Sequence, residues 1–139
     1  MKKLDSKNLF AIFVIGDEEL TKQFGIDHLS TNAFLLLGMT IKGVENFYII
    51  EQIYTNRFPE EYDSVKDSIK LKYFITLVGY LERVKEISSE ILFDIVDEFG
   101  ECGIDYALSE MLEFFEEVEY YEKCVVVKKY IDIFSNKSC

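Results

Sequence analysis

From Ile104 onward, apolar residues return at alternating steps of four and three: Ile104, Leu108, Met111, Phe115 and Val118. That spacing places them on one narrow face of a helix, flanked by Ala107, Phe114 and Tyr121, and predicts an inward-facing stripe. The opposite side displays Glu110, Glu113, Glu116 and Glu117, with Tyr106 and Tyr120 set among them. The preceding segment repeats the arrangement. Ile91, Leu92, Ile95, Val96 and Phe99 form its buried side and leave Glu90, Asp94, Asp97, Glu98 and Glu101 outside. Ser88 or Ser89 caps this segment and Gly100 ends it, where a left-handed residue commonly terminates a helix. If Gly100 and Gly103 let the two helices fold back as a hairpin, the two acidic faces adjoin.

The same reading organises the rest of the chain. Pro59, the only proline, is followed by Glu60 and Glu61; proline suits a first helical turn, and acids there suit the positive end of the helix dipole. A long helix is predicted from Pro59 to about Glu86, and its middle, Tyr73 to Leu81, is apolar nearly all round, as in a central helix. Asp17, Glu18 and Glu19 start a short helix stopped near Gly25. Ser30 or Thr31 caps another that ends near Gly43, and Glu45 to Asn56 continues as a further helix. Gly38 and Gly79 read as sites of close helix packing. Leu9 to Ile15 suits a short strand as well as a helix. Cys124 to Phe134 is also ambiguous, although Val127, Tyr130, Ile131 and Phe134 follow helical spacing. With no Asn-Gly or Asp-Gly turn and few alternating runs, the pattern predicts an all-α, single-domain helical bundle around a long central helix, with a possible short N-terminal strand.

Length and composition bound this picture. The chain has 139 residues, 49% of them hydrophobic, with 12 Phe and 9 Tyr, enough for one domain over residues 1–139 with a core of its own. The longest stretch without a charged side chain, His28 to Ile41, is 14 residues, short of the roughly 20 that a membrane span needs. No small-x-small cleavage site follows Leu9 to Ile15, so a signal peptide is not expected. Cys102, Cys124 and Cys139 are odd in number and form no CxxC pair, which predicts reduced thiols and a cytoplasmic protein.

Charge changes the picture most. Residues 1–50 carry 5 bases and 6 acids, and residues 51–87 carry 6 and 7. Residues 88–122 carry 12 acids and no Lys or Arg, and so hold essentially all of the net charge of −11. A solvated helix ordinarily intersperses Lys or Arg at i+4, which relieves repulsion between its acids. Here the repulsion is left uncompensated, which points to an external basic partner. Tyrosines within a charged patch are typical interface anchors. The candidate partner-binding residues are therefore Asp94, Asp97, Glu98, Glu101, Tyr106, Glu110, Glu113, Glu116, Glu117 and Tyr120. The competing reading is a solvated acidic face, with Tyr106 and Tyr120 filling gaps between helices.

Candidate chemistry narrows the classes further. His28 is the only histidine; it lies before a helix start with no nucleophile elbow, so no Ser-His-Asp or Cys-His site is expected. One histidine cannot supply the two Glu-x-x-His pairs of a di-iron bundle. Asp94 to Gly100 lacks the alternating acids of a calcium loop. The seven glycines form neither GxGxxG nor a Walker loop, and there is no Trp to line a sugar site. Direct nucleic-acid binding is opposed by the charge, because phosphate neutralisation supplies most such affinity. The reading is a protein that is not an enzyme, with no cofactor and no metal.

In size, acidity and missing catalytic apparatus the chain resembles the immunity proteins of bacterial toxin systems, of the contact-dependent growth inhibition or bacteriocin type. The resemblance is one of overall profile; no motif carries it, and no family residue is transferred. It implies a basic protein toxin, a nuclease domain, bound as a heterodimer with its active site covered. Two alternatives stand beside it: a phage-type nucleic-acid mimic inhibiting a host DNA-binding protein, and a non-catalytic regulatory subunit whose acidic face is solvated.

Overall fold

Asn32 caps the helix that opens the described residues, its Oδ1 accepting the Leu35 N–H at 3.0 Å in place of the missing intrahelical partner. The computed structural model describes residues 32–135, which form α1 (Ala33–Arg57), α2 (Pro59–Arg83), α3 (Ser89–Glu117) and α4 (Tyr121–Ser135). Among the described residues there is no strand, and the architecture is an all-α bundle. The possible strand at Leu9 to Ile15, the helix expected between Asp17 and Gly25, and the Ser30 or Thr31 cap all lie outside the described residues.

The expected stop near Gly43 and restart at Glu45 are not found, because α1 runs unbroken to Arg57. Gly43 serves packing instead. A Cβ at this position would lie 2.5 Å from Leu77 Cδ2 of α2, and the Gly43 carbonyl accepts the Tyr73 hydroxyl at 3.1 Å. Gly38 also admits a close neighbour, since a Cβ there would lie 3.3 Å from the Phe99 ring, whereas a Cβ at Gly79 would meet nothing within 4 Å. Close packing therefore falls at Gly38 and Gly43, not at Gly79.

Only Phe58 separates α1 from α2, and Pro59 occupies the first turn of α2 as expected. The two helices are antiparallel, as the pairs Thr40–Leu77, Gly43–Tyr73 and Glu51–Tyr62 show. α2 ends at Arg83, slightly before the expected Glu86. Phe74, Leu77, Val78 and Leu81 are fully buried, but Ile75 reaches the surface, so one side of its apolar middle is exposed. Ser88 then caps α3 by accepting the Ile91 N–H at 3.1 Å. α3 runs in the same sense as α1, since Phe99 lies on Gly38 while Tyr106 and Glu110 lie against Tyr48.

α1 packs on α2 and α3, α4 packs on α3 and α2, and the ring so closed encloses one core. Leu36, Leu37, Val44 and Phe47 meet Phe74 and Leu77, with Ile95, Met111 and Phe115 from α3 and Val127 and Tyr130 from α4. Complete burial of each such large side chain contributes about 1.5–3 kcal/mol. The Tyr130 hydroxyl donates to the Leu81 carbonyl at 2.9 Å, and buried Thr40 donates to the Leu36 carbonyl at 2.9 Å, so neither polar atom is stranded. α1 is long and apolar enough to cross a membrane; in this fold its residues Leu36, Leu37, Ile41, Val44 and Phe47 are core, and the helix packs on α2 and α3.

Candidate partner-binding surface

Two helical segments, residues 89–99 and 101–117, abut at Gly100 and build the acidic surface. Gly100 has φ 76° and ψ 153°, a conformation that side-chain-bearing residues rarely adopt, and it breaks the helix within a single residue. Gly103 lies inside the second segment with helical geometry. The expected hairpin with both glycines in its turn is thus replaced by a one-residue break, and the second segment begins where the first ends.

Burial of Leu92 and Ile95 fixes the rotation of the first segment, and Asp94, Asp97 and Glu98 are exposed. Ile104, Ala107, Leu108, Met111, Phe114 and Phe115 fix the second, leaving Glu101, Tyr106, Glu113, Glu116 and Glu117 outside. Nine of the ten expected partner-binding residues are therefore exposed on α3 or just beyond it, and Glu110 differs. Its carboxylate is half-buried and accepts the Tyr48 hydroxyl of α1 at 2.9 Å. Glu110 ties α1 to α3.

Three ion pairs form among the described residues: Lys42–Glu45, Lys66–Asp63 and Lys123–Glu82. None of them uses an acid from residues 88–122. A cation does approach this region, but it turns to rings. Lys70 Nζ lies 5.1–5.6 Å from the ring centres of Phe114, Tyr48 and Phe74, a cation–π arrangement. The outward acids of α3 thus form no ion pair with a cationic side chain among the described residues.

The tyrosines separate by environment. Tyr106 is 49% exposed, and its ring lies edge-on to Tyr48 at 6.5 Å and 63° between planes. Burial first, then Glu110 and Glu45, hold its phenol above the ordinary range. It borders a shallow groove with Glu45, Ile49 and Gln52 of α1; Ile49 and, one turn further along α1, Ile53 are about half exposed. The charge pattern of the sequence does not point to these α1 residues; the signal that does is the i, i+4 spacing of Ile49 and Ile53 on the side of α1 away from Val44 and Phe47.

Tyr120 belongs to a helix end. Its N–H donates to the Phe115 carbonyl at 2.9 Å, the Glu119 N–H donates to Glu116 at 3.2 Å, and the Tyr120 ring stacks on Phe115 at 6.5 Å. That is a Schellman motif with its apolar contact, so part of Tyr120 is committed to ending α3. Tyr121, expected beside Ala107 and Phe114 on the buried flank, is 62% exposed. The reason is the interruption at Glu119: α4 starts afresh at Tyr121, and the periodicity of α3 does not extend past Val118.

Among the described residues no group of three His, Cys, Asp or Glu side chains is placed to hold a metal ion. Cys102 is exposed and Cys124 buried, and burial, with Glu116 as a lesser cause, pushes the Cys124 thiol up. No protein-family model, no curated protein and no solved structure matches the chain.

Proposed function

We propose that the chain is a cytoplasmic immunity-type inhibitor that binds a basic protein toxin, a nuclease domain, through the outer surface of α3 and covers its active site. The observation that supports this reading is the state of the α3 acids: 12 acids and no base in residues 88–122, and no ion pair to any of them among the described residues. Of these carboxylates, only that of Glu110 has a hydrogen-bond partner among the described residues, the Tyr48 hydroxyl. A basic partner gains in two ways, since opposite fields speed encounter and desolvated charge pairs slow release.

Tyr106 and Ile49, which line one groove, give the charged surface an apolar border, as expected of an interface in which aromatic anchors carry much of the energy. The test is coexpression with the toxin domain in cells and co-purification of the two chains. A one-to-one complex and cell survival that depends on the α3 acids are expected. Survival and complex formation that persist after reversal of Asp97, Glu113 and Glu117 to Lys contradict the proposal.

A further inference from the structure

At the break in α3 the surface opens into a cavity of about 270 Å³, lined by Leu92, Phe93, Val96, Ile104 and Phe134, with Glu101, Cys102 and Asp105 among its polar residues. Phe93 is 70% exposed, the largest exposure among the large apolar residues described. The cavity exists because Gly100 redirects the chain: Leu92 and Val96 before the break and Ile104 after it form a wall, and Phe134 of α4 completes it.

Its size selects the occupant. An engineered cavity of roughly 150 Å³ admits a benzene ring, while sites for cofactor-sized ligands begin near 300 Å³. This one accommodates a single large side chain. Its surroundings select the chemistry, because Glu101 and Asp105 line it and both belong to the stretch with 12 acids and no base. An apolar group entering here carries its flanking residues over carboxylates.

Resting on the reading of α3 as the partner-binding surface, we infer that this cavity is the anchor pocket of that surface: it receives one leucine-like or phenylalanine-like side chain of the basic partner, flanked by Lys or Arg that pair with Glu101 and Asp105. Charge steers the partner, and the pocket fixes its register. α4 completes the pocket whereas α1 borders Tyr106, so the acidic strip of α3 has an apolar border from each of these helices.

Capped peptides Lys-Arg-X-Lys-Arg, with X as Gly, Leu or Phe, test this by calorimetry against the full chain. The Leu and Phe peptides bind about ten-fold more tightly than the Gly peptide, the gain from burying one such side chain. Cys102→Trp, which fills the opening from an exposed position, removes that gain and keeps the affinity for the Gly peptide. Phe93→Ala, at an exposed residue, weakens the gain and gives the same test should Cys102→Trp fail to fold. Equal affinity for all three peptides, lost on reversal of Asp97, Glu113 and Glu117, overturns the pocket while leaving the acidic surface standing. No binding of any peptide overturns both. A lower melting temperature for Phe93→Ala with unchanged peptide selectivity shows a cavity closed by this chain itself, and also overturns the inference.

Discussion

Glu119 holds a left-handed backbone, φ 62°, at the position after the α3 C-cap where glycine is usual. A side chain there costs about 1 kcal/mol, so Glu119→Gly should stabilise the protein by roughly 0.5–1 kcal/mol, read as a higher urea midpoint. Gly100→Ala should act in the opposite sense, destabilising the fold by at least about 1 kcal/mol and lowering the midpoint, because Gly100 is in a conformation closed to alanine. Gly100 is legible as a break because glycine marks such positions. The second break is not, since no glycine or proline stands between Glu117 and Tyr121. The same fact explains why the flank assignment fails at Tyr121 and why Tyr120 mixes two roles. Tyr120→Ala should lose the stack on Phe115 and about 0.5–1.5 kcal/mol of stability. Tyr106→Ala should lose mainly affinity, with a melting temperature close to that of the parent.

The helices themselves are readable wherever capping and period agree, as at Ser88, at Pro59 and along the buried stripe from Ile104 to Phe115. Pattern alone misdivides α1 because glycine has two uses, and only tertiary contact with Leu77 and Tyr73 shows which one Gly43 serves. Cross-helix hydrogen bonds are equally out of its reach, because Glu110 has the same helical phase as its exposed neighbours until Tyr48 of α1 is placed beside it. Those bonds predict how the packing responds to pH. Burial, followed by the bonds to Glu110 and Glu51, holds the Tyr48 and Tyr62 phenols well above their ordinary value of 10.0. A phenol whose proton is held more tightly in the folded chain contributes stability that is complete below pH 10.0 and lost as pH rises toward the folded value. The melting temperature should accordingly show no pH dependence from these phenols near neutral pH and fall above about pH 10, and Tyr48→Phe should make that fall shallower. A melting temperature unaffected by alkali in the parent protein would contradict the packing of α1 against α2 and α3.

For the whole molecule, uneven charge is the property most visible in sequence and most consequential in the structure. The acids of α3 lack cationic partners among the described residues, so added salt should screen their repulsion and raise the melting temperature of the free chain. The sequence pattern locates nine exposed members of this surface, but the apolar borders contributed by α1 and α4 depend on how the helices close around the core. The central claim is tested most directly by stopped-flow association of the chain with the proposed partner, a basic toxin nuclease domain, across a range of salt concentrations, for the parent and for the Asp97→Lys, Glu113→Lys, Glu117→Lys triple variant. Surface substitutions of this kind alter stability by about 0.5 kcal/mol or less each, so the variant should remain folded. The parent should associate fast at low salt and slow steeply as salt rises, whereas the variant should associate slowly with a weak salt dependence. Equal rates and equal salt dependence for the two proteins would contradict the account.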